Sequence, residues 1–245
     1  MQGYRHRLFD ENYFFKKINS TNTKANKLIK DGIATGNFLV AAAEQSGGLG
    51  RNKNGWESPL GGLWLTAGMY GLTVESNLTL FTGNCIHKAL CALYPELAEK
   101  LKIKWPNDLY YEERKLCGIL VTAIPAKKYH LLGIGVDTNI LEFSEALEDI
   151  ATSLQLELER EVSNQDVASA IFDVFANELP DFIEKGLDSK YFNQHAFLTN
   201  RQIELDTDFA SYTGLYKGIN SKGAILLELK QGMIQPFYAG SVVKY

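Results

Sequence analysis

The stretch QSGGLGRNKNGW, residues 45–56, sets four glycines and two cations in twelve positions. Glycine lets a backbone come close to a ligand, and Arg51 and Lys53 supply positive charge, so the chemistry on offer is the grip of an anion. Spacing excludes two nucleotide-binding phrases. The pattern GxxxxGK[ST] needs a lysine after Gly55, where Trp56 and Glu57 stand. GxGxxG fails because Lys53 occupies the place of the third glycine after Gly48 and Gly50. Two readings of these residues stay open, a solvated connector and an anion clamp.

Three further phrases could do chemistry. In LKIKWPND, Lys102 and Lys104 alternate with Leu101, Ile103 and Trp105, so the lysines share one strand face before the Pro106-Asn107-Asp108 turn. Lys104 is either a solvent-facing strand lysine or a cation held on a rigid element. In GIGVDTN, residues 133–139, Gly133 and Gly135 suggest close approach of a ligand or of another backbone. The triplet Ser20, Thr21, Asn22 reads as a helix N-cap by default.

The elements that position these residues follow from periodicity. FLVAAAEQ and GGLWLTAGMYG are apolar strands that bracket the glycine stretch, and a helix follows the Ser20 triplet until Gly32. A second helix is expected from about Leu78 to Tyr94, ahead of Pro95. LYY, KLCGILVTAI and YHLLGIGVD make a hairpin-rich sheet, with helices then expected over 144–160 and 164–186 and a kink or break at Pro180. Strands mixed with helix clusters, without a regular βαβ alternation, predict an α+β domain over 1–198. The segment 199–245 carries short apolar runs split by turns and predicts a small β-barrel packed on the main domain.

Composition narrows the function. The 245 residues are 45% apolar and 22% charged, with a net charge of -4, so no general excess of cations exists to grip nucleic acid or an anionic membrane. Any anion site is local. Three cysteines without a CxxC, and four dispersed histidines, favour neither a disulfide framework nor a zinc site. No apolar run approaches the roughly 18 residues of a membrane span, and the N-terminal residues lack a signal-like core, so a cytoplasmic protein is expected.

Taken in order, INSTN, AEQSGGLGRNKNGWESPLGGLWLT, KWPNDLYYEERKLCGILV and LLGIGVDTN resemble the biotin-protein ligase family, the biotin-[acetyl-CoA-carboxylase] ligases. The most specific pieces are KWPND followed by RKLCGIL, and the glycine loop ending in W-x-SP. The C-terminal NRQIEL to FYAG is similar to that family's SH3-like end domain. With no helix-turn-helix segment ahead of Phe14, the resemblance is to the monofunctional members. It implies a mixed or antiparallel central sheet flanked by helices, like that of class II aminoacyl-tRNA synthetases.

The resemblance also implies an activity. Such enzymes activate biotin with ATP to biotinyl-5'-AMP and transfer the biotinyl group to a lysine of a biotin carboxyl carrier domain. It implies Arg51 and Lys104 as the catalytic cations. Ser20, Thr21, Asn22, Gln45, Gly48, Leu49, Gly50, Gly133 and Gly135 join them around biotin. Lys53, Asn54, Trp56, Asp137 and Asn139 join them around ATP, with Mg2+ implied by ATP and Asp137 as its candidate ligand. The sequence departs from the family's pattern at Leu49, Lys53, Asn54 and Asp137, where the loop usually has arginine, glycine and arginine and the strand usually ends in asparagine. A lipoate or octanoate ligase or transferase of the same superfamily, and a non-catalytic biotin-binding module, are the rival expectations. The sheet edge beside KLCGILV could serve the carrier domain or a homodimer.

Overall fold

The computed structural model describes residues 4–73 and 77–245, apart from the side chains of Lys53 and Gln231. Strand β1 (Glu11–Phe15) leads to helix α1 (Thr21–Lys30), which Ser20 caps by accepting the Thr23 N–H at 3.4 Å. Gly32, at φ +69°, turns the chain out of that helix. Strand β2 (Phe38–Ala42) follows, then a two-stranded ribbon of β3 (Gln45–Leu49) and β4 (Gly55–Ser58), then β5 (Leu63–Tyr70). Helix α2 (Leu78–Leu93) precedes β6 (Leu101–Lys104), β7 (Asp108–Tyr111), β8 (Arg114–Ile124) and β9 (Tyr129–Val136). Helices α3 (Leu154–Leu158), α4 (Asn164–Lys185) and α5 (Ser189–Gln194) come next. The chain finishes with β10 (Gln202–Asp206), β11 (Ser211–Ile219), β12 (Ile225–Glu228), β13 (Ile234–Phe237) and β14 (Ser241–Lys244).

Seven strands form the main sheet in the order β1-β2-β5-β9-β8-β7-β6, with β1 and β2 parallel and the other neighbours antiparallel. Both faces are covered, which is why FLVAA is apolar at every position rather than at alternate ones. Phe38 and Val40 meet Ala25, Leu28 and Ile29 of α1, while Leu39 and Ala41 join the larger core beneath α2 and α4. Truncating Leu28 to alanine would cost about 2–5 kcal/mol, the range for a buried leucine. Among the described residues no helix is long and apolar enough to cross a membrane.

The C-terminal strands form a second sheet in the order β13-β12-β11-β10-β14. Four strand spacings of ~4.8 Å would hold the edges of a flat sheet ~19 Å apart, yet β13 and β14 are joined through residues 238–240, which span at most ~14 Å. The sheet therefore curls into a partly open barrel. Its Ile203, Tyr216, Ile225 and Leu227 belong to the same buried cluster as Leu101, Ile103 and Trp105, so the small unit shares its core with the main sheet.

Three expected features come out differently, wholly or in part. The helix expected over 144–160 is confined to α3, because the Lys115 N–H donates to the Ile150 carbonyl and its carbonyl accepts from the Thr152 N–H, which hold residues 150–152 extended beside β8. Of the kink or break expected at Pro180, the break does not occur. α4 runs through it, since proline removes one backbone donor while Phe175 and Phe182 on either side pack on Phe81. The edge expected beside KLCGILV is also narrower: β7 pairs with the first part of β8, and the open edge is residues 120–124.

Candidate active site

The start of α1, the β3–β4 ribbon, β5, β8, β9, the 104–108 turn and the start of β14 enclose a cavity of about 220 Å³. The ribbon is a built hairpin, not a slack connector. Its turn places Asn52 at φ +54°, and the Gly50 N–H donates to the Asn54 carbonyl at 2.8 Å. Gly48 is buried within the ribbon, where a Cβ would stand 2.3 Å from the Trp56 carbonyl, so its absence of a side chain is a packing requirement. Leu49, Gly50, Arg51 and Asn54 line the cavity.

A hydrogen-bond chain fixes the polar wall. The Thr66 hydroxyl donates to Thr21 Oγ1 at 2.9 Å, and the Thr21 hydroxyl and N–H both donate to Gln45 Oε1, at 3.0 and 2.7 Å. Gln45 Nε2 donates to Ser58 Oγ at 2.8 Å, and that hydroxyl donates to the Trp56 carbonyl at 3.1 Å. One chain thus ties α1 and β5 to the ribbon. Ser20 lines the cavity as well as capping α1. Beside it, Asn22 Nδ2 is a buried donor without a partner, and so is Trp56 Nε1. A buried unpaired donor costs about 1–3 kcal/mol, so two on one cavity wall are positions for acceptors on a ligand.

Trp56 lies over Gly118 and Gly135, register partners on β8 and β9. A Cβ on Gly118 would stand 2.6 Å from the indole, and one on Gly135 2.8 Å from its Nε1. What lies against Gly135 is therefore the indole. Gly133, two residues earlier on the same strand face, stands next to Asn22 and Leu120.

Among the described residues, three cations line the cavity. Arg51 donates from Nη1 to Asn107 Oδ1 at 3.1 Å and from Nη2 to the Gly240 carbonyl at 2.9 Å. Burial lowers its pKa, and Asp108 opposes that shift. Lys104 is 7% exposed, so the solvent-facing alternative fails, and β6 instead packs it against Tyr110, whose hydroxyl accepts from Nζ at 3.2 Å. Loss of water draws the Lys104 ammonium down to about 8, with Asp108 pulling the other way. The third cation, Lys115, sits 5.0 Å from the Trp56 ring centre and 2.8 Å from Asp108 Oδ1.

Asp137 and Asn139 stand outside this cavity. The Asn139 carboxamide both donates to and accepts from the Val162 backbone, at 2.9 and 2.8 Å. Asp137 is 5% exposed, and burial pushes its carboxyl well above the usual carboxylate range. Among the described residues no three His, Cys, Asp or Glu side chains group around a common ion position. A protein-held magnesium at Asp137 does not fit this arrangement. The Lys53 side chain, expected near ATP, lies outside the described residues.

Sequence reasoning missed Lys115, Asp108, Thr66, Ser58 and the contribution of residues 240–242. Lys115 was visible as the only cation inside KLCGIL. Gly240 gave no signal, because its carbonyl is a backbone group 189 positions from Arg51.

The fold brings cations and a fixed polar wall around one cavity, and comparison with known proteins gives the class. The model of the Biotin/lipoate A/B protein ligase family matches residues 14–139, just over half of the chain. The Bifunctional ligase/repressor BirA of Salmonella typhimurium is 30% identical over 238 residues, covering 92% of this chain and 71% of that protein. The Biotin--[acetyl-CoA-carboxylase] ligase of Paracoccus denitrificans is 28% identical over 223 residues, covering 86% of this chain and 91% of that one. The biotin protein ligase from Aquifex aeolicus, solved in complex with biotin and ATP, superposes with a TM-score of 0.86 over 97% of this chain and 100% of that one. At 24% identity that likeness is one of fold. The chain belongs to the biotin/lipoate A/B protein ligase family, as its motifs led us to expect.

Proposed function

We propose that the chain is a biotin-protein ligase. Biotin's carboxylate attacks the α-phosphorus of ATP, pyrophosphate leaves, and biotinyl-5'-AMP forms. The amine of one lysine on a biotin carboxyl carrier domain then attacks the acyl carbon, and AMP leaves. The observation that carries this reading is a single cavity that combines buried, unpartnered N–H donors at Asn22 and Trp56 with the cations Arg51, Lys104 and Lys115, in a chain of this family.

Biotin's ureido carbonyl is an acceptor that suits Asn22 Nδ2, with Ser20 and Thr21 supplying hydroxyls and Gln45 holding Thr21 in place. Leu65, Leu120 and Ile134 give the ring and chain an apolar wall beside Gly133. Negative charge grows on the non-bridging oxygens as phosphorus is attacked, and fixed cations stabilise it where it develops. Arg51 brings planar donors, and Lys104 and Lys115 compact ammonium groups. Lys115 supplies the cation that Leu49 lacks. The ribbon, with Gly50, Lys53 and Asn54 in its turn, closes over the adenylate and excludes water that would hydrolyse the mixed anhydride. Trp56, on the cavity wall over Gly118 and Gly135, offers its ring to stack on adenine.

The open edge of β8 over residues 120–124 begins at the cavity wall and gives the carrier domain a strand to add to. Incubation with ATP and either biotin or lipoate, read by mass spectrometry, tests the assignment. Biotinyl-adenylate is the expected product, followed by biotin on a purified carrier domain. Lipoyl-adenylate with no biotin product overturns it in favour of a lipoate ligase. Biotin binding without ATP-pyrophosphate exchange points to a non-catalytic module.

A further inference from the structure

The strand β14 and the residue after it reach back to two of the three cavity cations. Arg51 donates to the carbonyl of Gly240, just before β14, and Ser241 and Val242 line the cavity. Beyond β14, the ring centre of Tyr245 lies 3.8 Å from Lys104 Nζ. Tyr110 and Phe197 complete an aromatic cage, at 4.6 and 5.8 Å, and the Tyr245 and Phe197 rings meet edge-on at 5.1 Å. Arg201, ion-paired to Glu113, lies 4.2 Å from the Phe197 ring and 5.6 Å from the Tyr245 ring, backing the cage with further charge.

A ring face and a carboxylate hold an ammonium differently. The carboxylate cancels most of its charge at a distance, whereas the ring's quadrupole fixes it and leaves the full charge to act on a nearby anion. The cavity contains one lysine of each kind. Lys115 is 2.8 Å from Asp108, while Lys104 makes no ion pair within 4.0 Å among the described residues and is shielded from water by three rings. A shielded, uncompensated cation acts on an incoming anion more strongly than a hydrated one.

We propose that Tyr245 is a positioning residue for the activation step: its ring holds the Lys104 ammonium, uncancelled, for the triphosphate, and so makes the C-terminal unit part of the ATP site. This rests on the adenylating function proposed above. Tyr245 is itself 42% exposed, so removing its ring opens no core cavity.

The test uses the full chain with Tyr245→Ala and Tyr245→Phe, in two measurements. In ATP-pyrophosphate exchange, Tyr245→Ala raises KM for ATP about tenfold, the scale of a partly desolvated cation–ring contact. Tyr245→Phe keeps the ring and restores the parent KM. In limited acetylation with acetic anhydride, read by peptide mass spectrometry, Lys104 labels faster relative to Lys115 in Tyr245→Ala and not in Tyr245→Phe. An unchanged KM for ATP in Tyr245→Ala overturns the positioning role, and so does a phenylalanine variant as impaired as the alanine one. Unchanged labelling overturns the cage. A parent protein that makes no biotinyl-adenylate defeats the function proposed above, and the labelling still decides the cage.

Discussion

The Trp56 indole lies so close over Gly135 that a Cβ there would stand 2.8 Å from Nε1. A side chain at Gly135 must therefore move the ring. Gly135→Val suits a strand locally, but overpacking of this kind costs about 1–3 kcal/mol. The expected result is a chain that still folds, with a red-shifted tryptophan emission and a KM for ATP raised about tenfold, as about 1.4 kcal/mol of lost binding implies. Unchanged emission would show that the indole does not depend on this glycine.

Asn22 separates stability from binding. Its Nδ2 is buried without a partner, so the ligand-free protein carries the cost of an unmet donor. Replacing Asn22 by leucine removes that cost while taking away the donor proposed above for the ureido carbonyl. The thermal midpoint should hold or rise, while biotin affinity measured by titration calorimetry falls by about 1.5–3 kcal/mol, on the order of 10- to 100-fold. A variant that loses stability and keeps biotin affinity contradicts the assignment.

Much of the fold was legible because strand-length apolar runs broken by glycine and turn residues mark strands directly. β5, β8, β9 and the C-terminal strands stand where those runs stand. Helix α1 was legible from its cap, yet the same triplet that reads as a cap also carries Thr21 and Asn22 into the cavity. The glycine stretch left a connector and an anion clamp open and did not show the hairpin, since the Thr21 to Trp56 hydrogen-bond chain joins segments that only the folded sheet brings together. The segment 144–160 misleads because Leu147, Ile150, Leu154 and Leu158 have helical spacing, while the backbone of Lys115, far away in sequence, claims residues 150–152. Alternation put Lys104 on a polar face correctly. What covers that face, Tyr110, Phe197 and Tyr245, comes from three separate parts of the chain.

Lys115 and Asp108 should behave as a pair. Lys115→Ala removes a cation from the cavity and leaves the half-buried Asp108 carboxylate on the cavity wall without its partner. Loss of a positioned charge costs on the order of 10²–10³ in rate, and adenylate formation should fall by that amount. Asp108→Asn added to Lys115→Ala removes the unpaired negative charge and should recover part of the ATP affinity. Initial rates and KM for ATP across the four proteins of the cycle measure this coupling, and strict additivity rules it out.

His87 should set part of the acid stability. Its Nε2 donates to the Leu101 carbonyl at 2.9 Å and its Nδ1 accepts from the Tyr191 hydroxyl at 2.8 Å, which uses both nitrogens of a neutral ring. Burial, reinforced by the charges of His195, Lys102 and Lys88, lowers its pKa to about 4, although the Leu101 contact pulls the other way. The unfolded chain takes up a proton near the ordinary value of about 6.5, so the unfolded state binds more protons as the pH falls. The stability that the neutral ring supports is complete above about 6.5 and is lost between there and about 4, a difference of about 3 kcal/mol at most. His195 adds in the same direction, because burial also lowers its pKa, and it remains in a His87→Gln variant. That variant keeps a donor and an acceptor but does not titrate. Urea unfolding at pH 7 and at pH 4.5 should therefore give a smaller drop in midpoint for His87→Gln than for the parent chain, and equal drops in the two proteins would remove His87 as the cause.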